Sequence, residues 1–138
     1  MAKQSGLGDY LAVDDSSGTL RAISNDITSL TITTPQETLT VTGIDKSAIE
    51  RIIGLQDFSI SLNGIFNAAA NMSHAVLSAK SGVRTVTYAI GGNTSSNPKL
   101  SCEALITSYD VNRGEDGGLV FTASLVLSNG TAPAWTTV

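Results

Sequence analysis

The side chains that could do chemistry are few and stand far apart. His74 is the only histidine, so a Ser-His-Asp triad would rest on it alone, and a histidine-rich metal site is excluded. It falls on the polar stripe of a helical segment, which predicts a solvated or interface histidine. The single cysteine, Cys102, stands in Leu100-Ser101-Cys102-Glu103-Ala104-Leu105-Ile106, a strand pattern in which it serves as a small hydrophobe with no base beside it to activate the thiol. Asp110-Val111-Asn112-Arg113-Gly114-Glu115-Asp116-Gly117 has the oxygen ligands of a calcium loop but the wrong spacing at its central glycine. Phe121 occupies the position of the closing carboxylate, so an acidic hairpin turn is expected. The pairs Asp14-Asp15 and Glu115-Asp116 lie in turns, whereas acid–base catalysis needs a sheltered cleft to separate two carboxyl pKa values. Gly6-Leu7-Gly8 and Gly91-Gly92 lack the strand–loop–helix setting and the lysine of a phosphate cradle and read as turns. No catalytic, cofactor-binding or metal-binding residue is expected, and the chain does not read as an enzyme.

Composition says what kind of surface these residues decorate. The 138 residues fit one domain, 1–138, with a single core and short arms at 1–8 and 129–138. Only 14% of residues are charged, and the mean hydropathy is +0.14, a combination that self-association would relieve. Ser and Thr make up nearly a quarter of the chain, so polar faces are mostly neutral hydroxyl and lose little when they pack on copies of themselves. A net charge of −4 with scattered Lys and Arg argues against a protein that grips nucleic acid. One cysteine forms no internal disulfide. No apolar run approaches the length of a membrane span, and the first residues lack a signal-peptide core, so a cytoplasmic site of synthesis and no membrane partner are expected.

The elements that must position these faces are mainly strands. Tyr10–Val13 and Thr19–Ile23 flank a turn-forming cluster and predict a hairpin. Ile27–Thr34 and Leu39–Gly43, interrupted by Pro35-Gln36, predict a second hairpin with one apolar and one hydroxyl face. Residues 43–54 break the alternation and read as a short helix or an ordered loop, the loop being favoured, that packs on something. Asp57-Phe58-Ser59-Ile60-Ser61-Leu62-Asn63 alternates strictly within a strand at 55–63. A helix is expected over residues 67–80, capped by Asn67 and favoured by Ala68-Ala69-Ala70, with Ala69, Met72, Val76 and Ala79 facing a sheet and Asn67, Asn71, His74 and Ser78 opposite. Strands at Val83–Ile90, Lys99–Val111 and Leu119–Leu127 follow, the last with Phe121, Ala123, Leu125 and Leu127 on one face. Trp135 in the tail folds back on its own core or anchors on a neighbouring subunit. The fold class expected is a mainly β sandwich or barrel with one flanking helix.

The run Val41-Thr42-Gly43-Ile44, a polar loop, then Gly54-Leu55-Gln56-Asp57-Phe58-Ser59-Ile60-Ser61-Leu62-Asn63-Gly64-Ile65-Phe66-Asn67 resembles the major tail tube proteins of long-tailed bacteriophages. The likeness continues through Tyr88-Ala89-Ile90-Gly91-Gly92 and Leu119-Val120-Phe121-Thr122-Ala123-Ser124-Leu125. Contractile-tail tubes and the type VI secretion tube share that fold. The resemblance implies a virion structural protein whose inner sheets join into a ring, commonly hexameric, with rings stacked into the hollow tail that conducts DNA during ejection. It implies as partners further copies of the chain, tail tape-measure, terminator and baseplate or tip proteins, and passing double-stranded DNA held without specific binding. It places the product in the virion tail after assembly in the host cytoplasm. A decoration or adhesin module of β-sandwich type is the alternative; with 5% aromatic residues it would lack the platforms that bind sugars.

Within that frame Thr31, Thr33, Thr40, Thr42, Asp57, Ser59, Ser61 and Asn63 form the expected lumen-facing set, because they alternate with Leu30, Ile32, Val41, Phe58, Ile60 and Leu62. A neutral or acidic lumen lets phosphates slide, where a basic one would hold them. Asp45, Ile49, Glu50, Arg51, Ile52 and Trp135 form the expected ring-stacking contact, since the isoleucines of residues 45–53 have no alternation of their own to join.

Overall fold

The computed structural model describes residues 3–138; Met1 and Ala2 of the expected N-terminal arm lie outside the described residues. The chain is mainly β, with one short helix. Strands β1 (Tyr10–Asp14), β2 (Leu20–Ala22), β3 (Ile27–Thr33), β6 (Ser59–Ile65), β7 (Arg84–Ala89), β8 (Pro98–Arg113) and β9 (Leu119–Leu127) form one antiparallel sheet in the order β2-β1-β7-β8-β9-β6-β3, with β10 (Trp135–Thr137) beside the start of β8. The sheet does not close into a barrel. It folds over on itself instead, because side chains from both ends of that order share one core: Leu11 and Val13 from β1 meet Phe58, Ile60 and Leu62 from β6 and its approach.

β8 makes the fold-over possible. Its first half pairs with β7 through residues 99–104 and its second half with β9 through residues 104–113, so one long strand belongs to both layers. Leu100, Cys102, Ala104 and Ile106 face the core at even positions, and a bulge between Ile106 and Ser108 then turns the inward register to Tyr109. One extra residue shifts the side-chain alternation and sharpens the bend. Burial of side chains such as Phe58, Ile60, Leu62 and Phe121, each at or below 1% exposure, stabilises the layers by about 1.5–3 kcal/mol apiece.

The first hairpin forms as the turn residues predict, with Ala12 opposite Ala22. The second does not. β3 pairs with β6, Leu30 opposite Leu62 and Ile32 opposite Ile60, while β4 (Gln36–Thr40) pairs with β5 (Arg51–Gln56). Ile27 to Ile65 is thus one long hairpin broken at its waist, where Pro35 has no N–H to give and the chain crosses by a single bond from the Asp57 amide to the Pro35 carbonyl, 3.0 Å. The segment expected to be a loop through residue 54 is a strand from Arg51 onward; what looked like broken alternation is strand exposed on both faces.

The helix is also shorter than expected. α1 spans Ser73–Leu77, not 67–80. Asn67 does not cap it: its side-chain oxygen accepts the Ala69 amide and its amide donates to Asp26, which spends the residue on a local turn. Asn71 then adopts φ +64, a left-handed conformation that ends any helix running from Ala68. Val76, Leu77 and Ser73 are buried, whereas Ala69 is exposed, so the inward stripe differs from the expected one.

Two buried charges hold this short helix. The Asp26 carboxylate accepts the Ser73 amide at 3.0 Å and the Asn67 side chain at 3.0 Å, satisfying a donor of the helix start. At the other end Arg84, 1% exposed, donates from Nε to the Ser81 carbonyl, from Nη1 to the carbonyls of Val76 and Asp14 at 2.9 Å, and from Nη2 to that of Ala79. The guanidinium closes the orphan carbonyls of the helix end and ties it to β1. Gly64 lets this corner close: a Cβ there would lie 2.4 Å from the Asp26 carbonyl oxygen and 2.6 Å from the Phe121 ring.

Candidate functional site

Four strands, β3, β6, β9 and the second half of β8, form a layer whose inner face belongs to the core and whose outer face is hydroxyl-rich. Across it Ser29, Thr31 and Thr33 stand opposite Asn63, Ser61 and Ser59. Those meet Thr122, Ser124 and Val126 of β9, which in turn face Asp110, Ser108 and Leu105 of β8, the Val126–Leu105 pair being the apolar row of the four-stranded face. The side chains are tied together: Asn63 donates to Ser29 Oγ at 3.1 Å, Thr122 donates to Asn63 Oδ1 at 3.1 Å, and Thr107 donates to the Ser124 carbonyl at 3.0 Å. Asp110 is the one ionisable side chain in these rows, and Lys and Arg are absent from them. The face is a wettable, weakly acidic wall.

Thr31, Thr33, Ser59, Ser61 and Asn63 of the expected lumen set are therefore neighbours on one face. Asp57 sits at the waist, its carboxylate accepting the Phe58 amide at 2.7 Å. Thr40 and Thr42 lie beyond the waist, apart from the large sheet; Thr40 stands opposite Arg51, and Thr42 Oγ1 accepts the Glu50 amide at 2.9 Å. Ser108, Asp110, Thr122 and Ser124 are members of the same face that alternation within single strands missed. The signal was cross-strand register, which only the pairing of β6 with β9 and β9 with β8 supplies.

Both margins of this layer are open. β3 pairs on one side only, and β8 beyond residue 104 has no strand on the side away from β9 among the described residues. Such edges offer unpaired N–H and C=O groups to another chain. Along the β3 edge runs a cleft of about 480 Å³ lined by Leu7, Asp9, Thr28, Leu30 and Tyr88. Asp9 fixes its far wall, accepting the Tyr88 hydroxyl and the Gly91 amide; burial first, then that carboxylate, pushes the Tyr88 phenol up to about 12.

Beyond the waist the β4–β5 arm projects with little covering it. Leu39 stands opposite Ile52 on one face, and Thr38 opposite Ile53 on the other. Leu39 is 50% exposed, Ile52 52%, Ile49 61%, Ile53 69% and Leu55 79%, and Ile44 at the tip is fully open. The expected stacking residues Asp45, Ile49, Glu50, Arg51 and Ile52 all lie on this arm. Trp135 does not: it pairs opposite Leu100 on β8, half-exposed beside Gln36 and Asp57 at the arm's base.

The other candidates for chemistry resolve into structure. His74 is not solvated as its stripe suggested: it packs between Phe66 and Tyr109 in a file of rings that ends on Phe121, with Nδ1 3.1 Å from the Tyr109 hydroxyl. Cys102 is buried, and burial with the neighbouring Glu103 charge pushes its thiol up to about 11, far from a reactive thiolate. Asp15 is held well below the ordinary carboxylate range by the Thr19 amide first, then the Ser17 hydroxyl and Arg21. Asp116 caps its own turn through the Gly118 amide. No group of three or more His, Cys, Asp or Glu fit to hold a metal occurs among the described residues, and none of their helices is long and apolar enough to cross a membrane.

No family model and no curated protein sequence matches the chain. Solved structures do. A chain in the tail of an empty gene transfer agent particle, refined with C6 symmetry, superposes with a TM-score of 0.74 at 20% identity, covering 99% of both chains. One in the virion of a native gene transfer agent particle gives 0.72 at 17%, again over 99% of each. One in the sheath-tube complex of an extracellular contractile injection system gives 0.66 at 12%, covering 99% of this chain and 93% of that one. Over its whole length the chain thus has the fold of phage-tail-like tube proteins.

Proposed function

We propose that this chain is a tail tube subunit: copies join edge to edge into rings, rings stack into a hollow tube, and the hydroxyl face lines the bore. The observation that carries the reading is a four-stranded layer with two free margins and a cation-free polar face. Pairing the β3 edge of one copy with the β8 edge of the next uses both margins and leaves none for indiscriminate association. With the sixfold symmetry of the gene transfer agent tail, six copies bring 24 strands. Spaced about 4.8 Å apart these enclose a backbone circle about 37 Å across, wider once the strands tilt, which leaves room for a double helix inside the side chains. Six chains of −4 each give a ring charge of −24, and a wall whose ionisable group is Asp110 repels phosphates instead of storing them.

In this reading Thr31, Thr33, Ser59, Ser61 and Asn63 face the bore, with Asp57 at its rim, and Thr40 and Thr42 extend the hydroxyl surface along the arm. Asp45, Ile49, Glu50, Arg51 and Ile52 contact the adjacent ring, and Trp135 braces the arm's base against it. The role is structural and non-enzymatic; the place is the virion tail, assembled in the host cytoplasm with tape-measure, terminator and baseplate or tip proteins as partners. The likeness to a sheath-tube complex supports a second reading, in which the same tube belongs to a contractile injection device. Negative-stain electron microscopy of the concentrated protein tests the shared claim. Rings or tubes are expected; a monodisperse monomer at every concentration, alone and with tail-tip seeds, would reject it.

A further inference from the structure

An asparagine followed by glycine can rearrange without an enzyme, because glycine has no Cβ to shield its backbone nitrogen from the asparagine side-chain carbonyl. The chain has two such pairs, Asn63-Gly64 and Asn129-Gly130, and the fold treats them in opposite ways. Asn63 lies in β6, which is paired on both sides, to β3 and to β9. Its side chain is held by Ser29 and Thr122, each at 3.1 Å. The Asp26 carbonyl oxygen lies 2.4 Å from where a Gly64 Cβ would stand, so that peptide has no room to swing its nitrogen over the Asn63 side chain. Asn129-Gly130 has none of these restraints. The Ser128 amide and hydroxyl bond to the Glu103 carbonyl, which fixes the chain just before the pair, and no strand follows until Trp135. Both residues are exposed. Gly130 has φ +71, with nothing within 4 Å of where a Cβ would be, and its amide donates to no group among the described residues. The Asn129 side chain is also aimed: its Oδ1 accepts the Thr131 amide at 3.1 Å, a turn that folds the side-chain amide back over the Gly130 peptide and draws electrons from Cγ.

We propose that Asn129 is a site of spontaneous modification, at which the folded chain converts its own asparagine to aspartate and isoaspartate. The Gly130 nitrogen gives its proton to water or hydroxide and bonds to Asn129 Cγ. The bond from Cγ to the side-chain nitrogen breaks and ammonia leaves, closing a succinimide ring. Water then opens the ring: cleavage at Cγ leaves aspartate, and cleavage at the main-chain carbonyl leaves isoaspartate, whose backbone runs through Cγ. No oxidant, reductant or cofactor is needed. Either product adds a negative charge to a chain of −4. The isoaspartate also lengthens the link between β9 and β10, and so acts on the tail that carries Trp135. This inference does not rest on the tube reading.

The test ages the full chain in mildly alkaline heavy-oxygen water and reads its peptides by mass spectrometry, since each succinimide opened after purification takes up a heavy oxygen. Label should enter residue 129 about 1000-fold faster than residue 63 or more, because Asn63 reacts only in the fraction of chains unfolded at any moment, about one in a thousand or fewer. In urea the two sites should label at similar rates, which assigns the difference to the fold. Asn129→Gln should abolish label at 129 in buffer and leave label at 63 in urea. A chain that leaves purification already converted at 129, with Asn63 intact, would support the proposal equally. Similar labelling of both sites in the folded chain, or an Asn129 that stays unlabelled in buffer while the urea sample labels, would overturn it and leave the tube reading standing.

Discussion

The two halves of one long hairpin, β3–β6 and β4–β5, share a vocabulary of Ile, Leu and Thr yet bury it differently. Below the waist, Leu30, Ile32, Ile60 and Leu62 turn to the core and the hydroxyls turn outward. Above it, Leu39, Ile52 and Ile53 are half or more exposed on two faces. Apolar side chains on both faces of a strand pair suit a covered setting; the lower half is completed by its own chain, and in the proposed tube the upper half is completed by another. In that reading stability and assembly are separated along one hairpin, with Pro35 and Asp57 at the boundary.

That separation can be broken from the stable side first. Arg84→Ala leaves the carbonyls of Val76, Ala79, Ser81 and Asp14 without their donor in a buried corner. A loss of about 3–5 kcal/mol is expected in urea unfolding, and tubes should be lost with the fold. Leu62→Ala removes a fully buried side chain from the lower half and should cost about 2–5 kcal/mol by the same measurement. The matched change in the upper half, Ile52→Ala, should alter monomer stability by no more than about 0.5 kcal/mol while shortening or abolishing tubes in electron micrographs. If Leu62→Ala and Ile52→Ala proved equally destabilising, the division between the halves would be wrong.

Smaller effects sharpen the wall and the margin. Asp110→Lys should leave stability and tube formation intact but make tubes retain DNA at low salt, released as salt rises, in a filter-binding assay. At the β3 margin, Tyr88 is an acid whose folded pKa, about 12, lies above its ordinary value of 10.0. Its contribution is fully present below pH 10 and is lost as pH climbs toward 12. Alkaline unfolding should be less steep over that window in Tyr88→Phe.

Much of this was legible in the residues, and the exceptions have physical causes. Strict alternation in residues 57–63 and 119–127 marked β6 and β9 because each has one face in the core. The β3–β4 pairing was misjudged because Pro35 resembles a turn, whereas here it interrupts a strand that continues; the true partners are separated by the whole arm and leave no local trace. The helix was overestimated because Ala68-Ala69-Ala70 favour helix locally, while Asn67 is held in a turn by Asp26, distant in sequence, and Asn71 takes a left-handed conformation. Arg84 and Asp26 carried no motif at all, since their partners are backbone atoms and, for Asp26, also the side-chain amide of Asn67 far along the chain. The hydroxyl face was half visible: its β3 and β6 rows follow from alternation, but joining Thr122, Ser124, Ser108 and Asp110 to them needs the register of the β8 bulge.

The central claim is that this face lines a bore closed by strand pairing between copies. A helical cryo-EM reconstruction of the assembled protein tests it most directly. The account predicts Thr31, Ser61, Thr122 and Asp110 on the inner wall, with β3 of each copy hydrogen-bonded to β8 of its neighbour. An inner wall made by β1, β2 and β7, or copies that meet without joining those two edges, would contradict it.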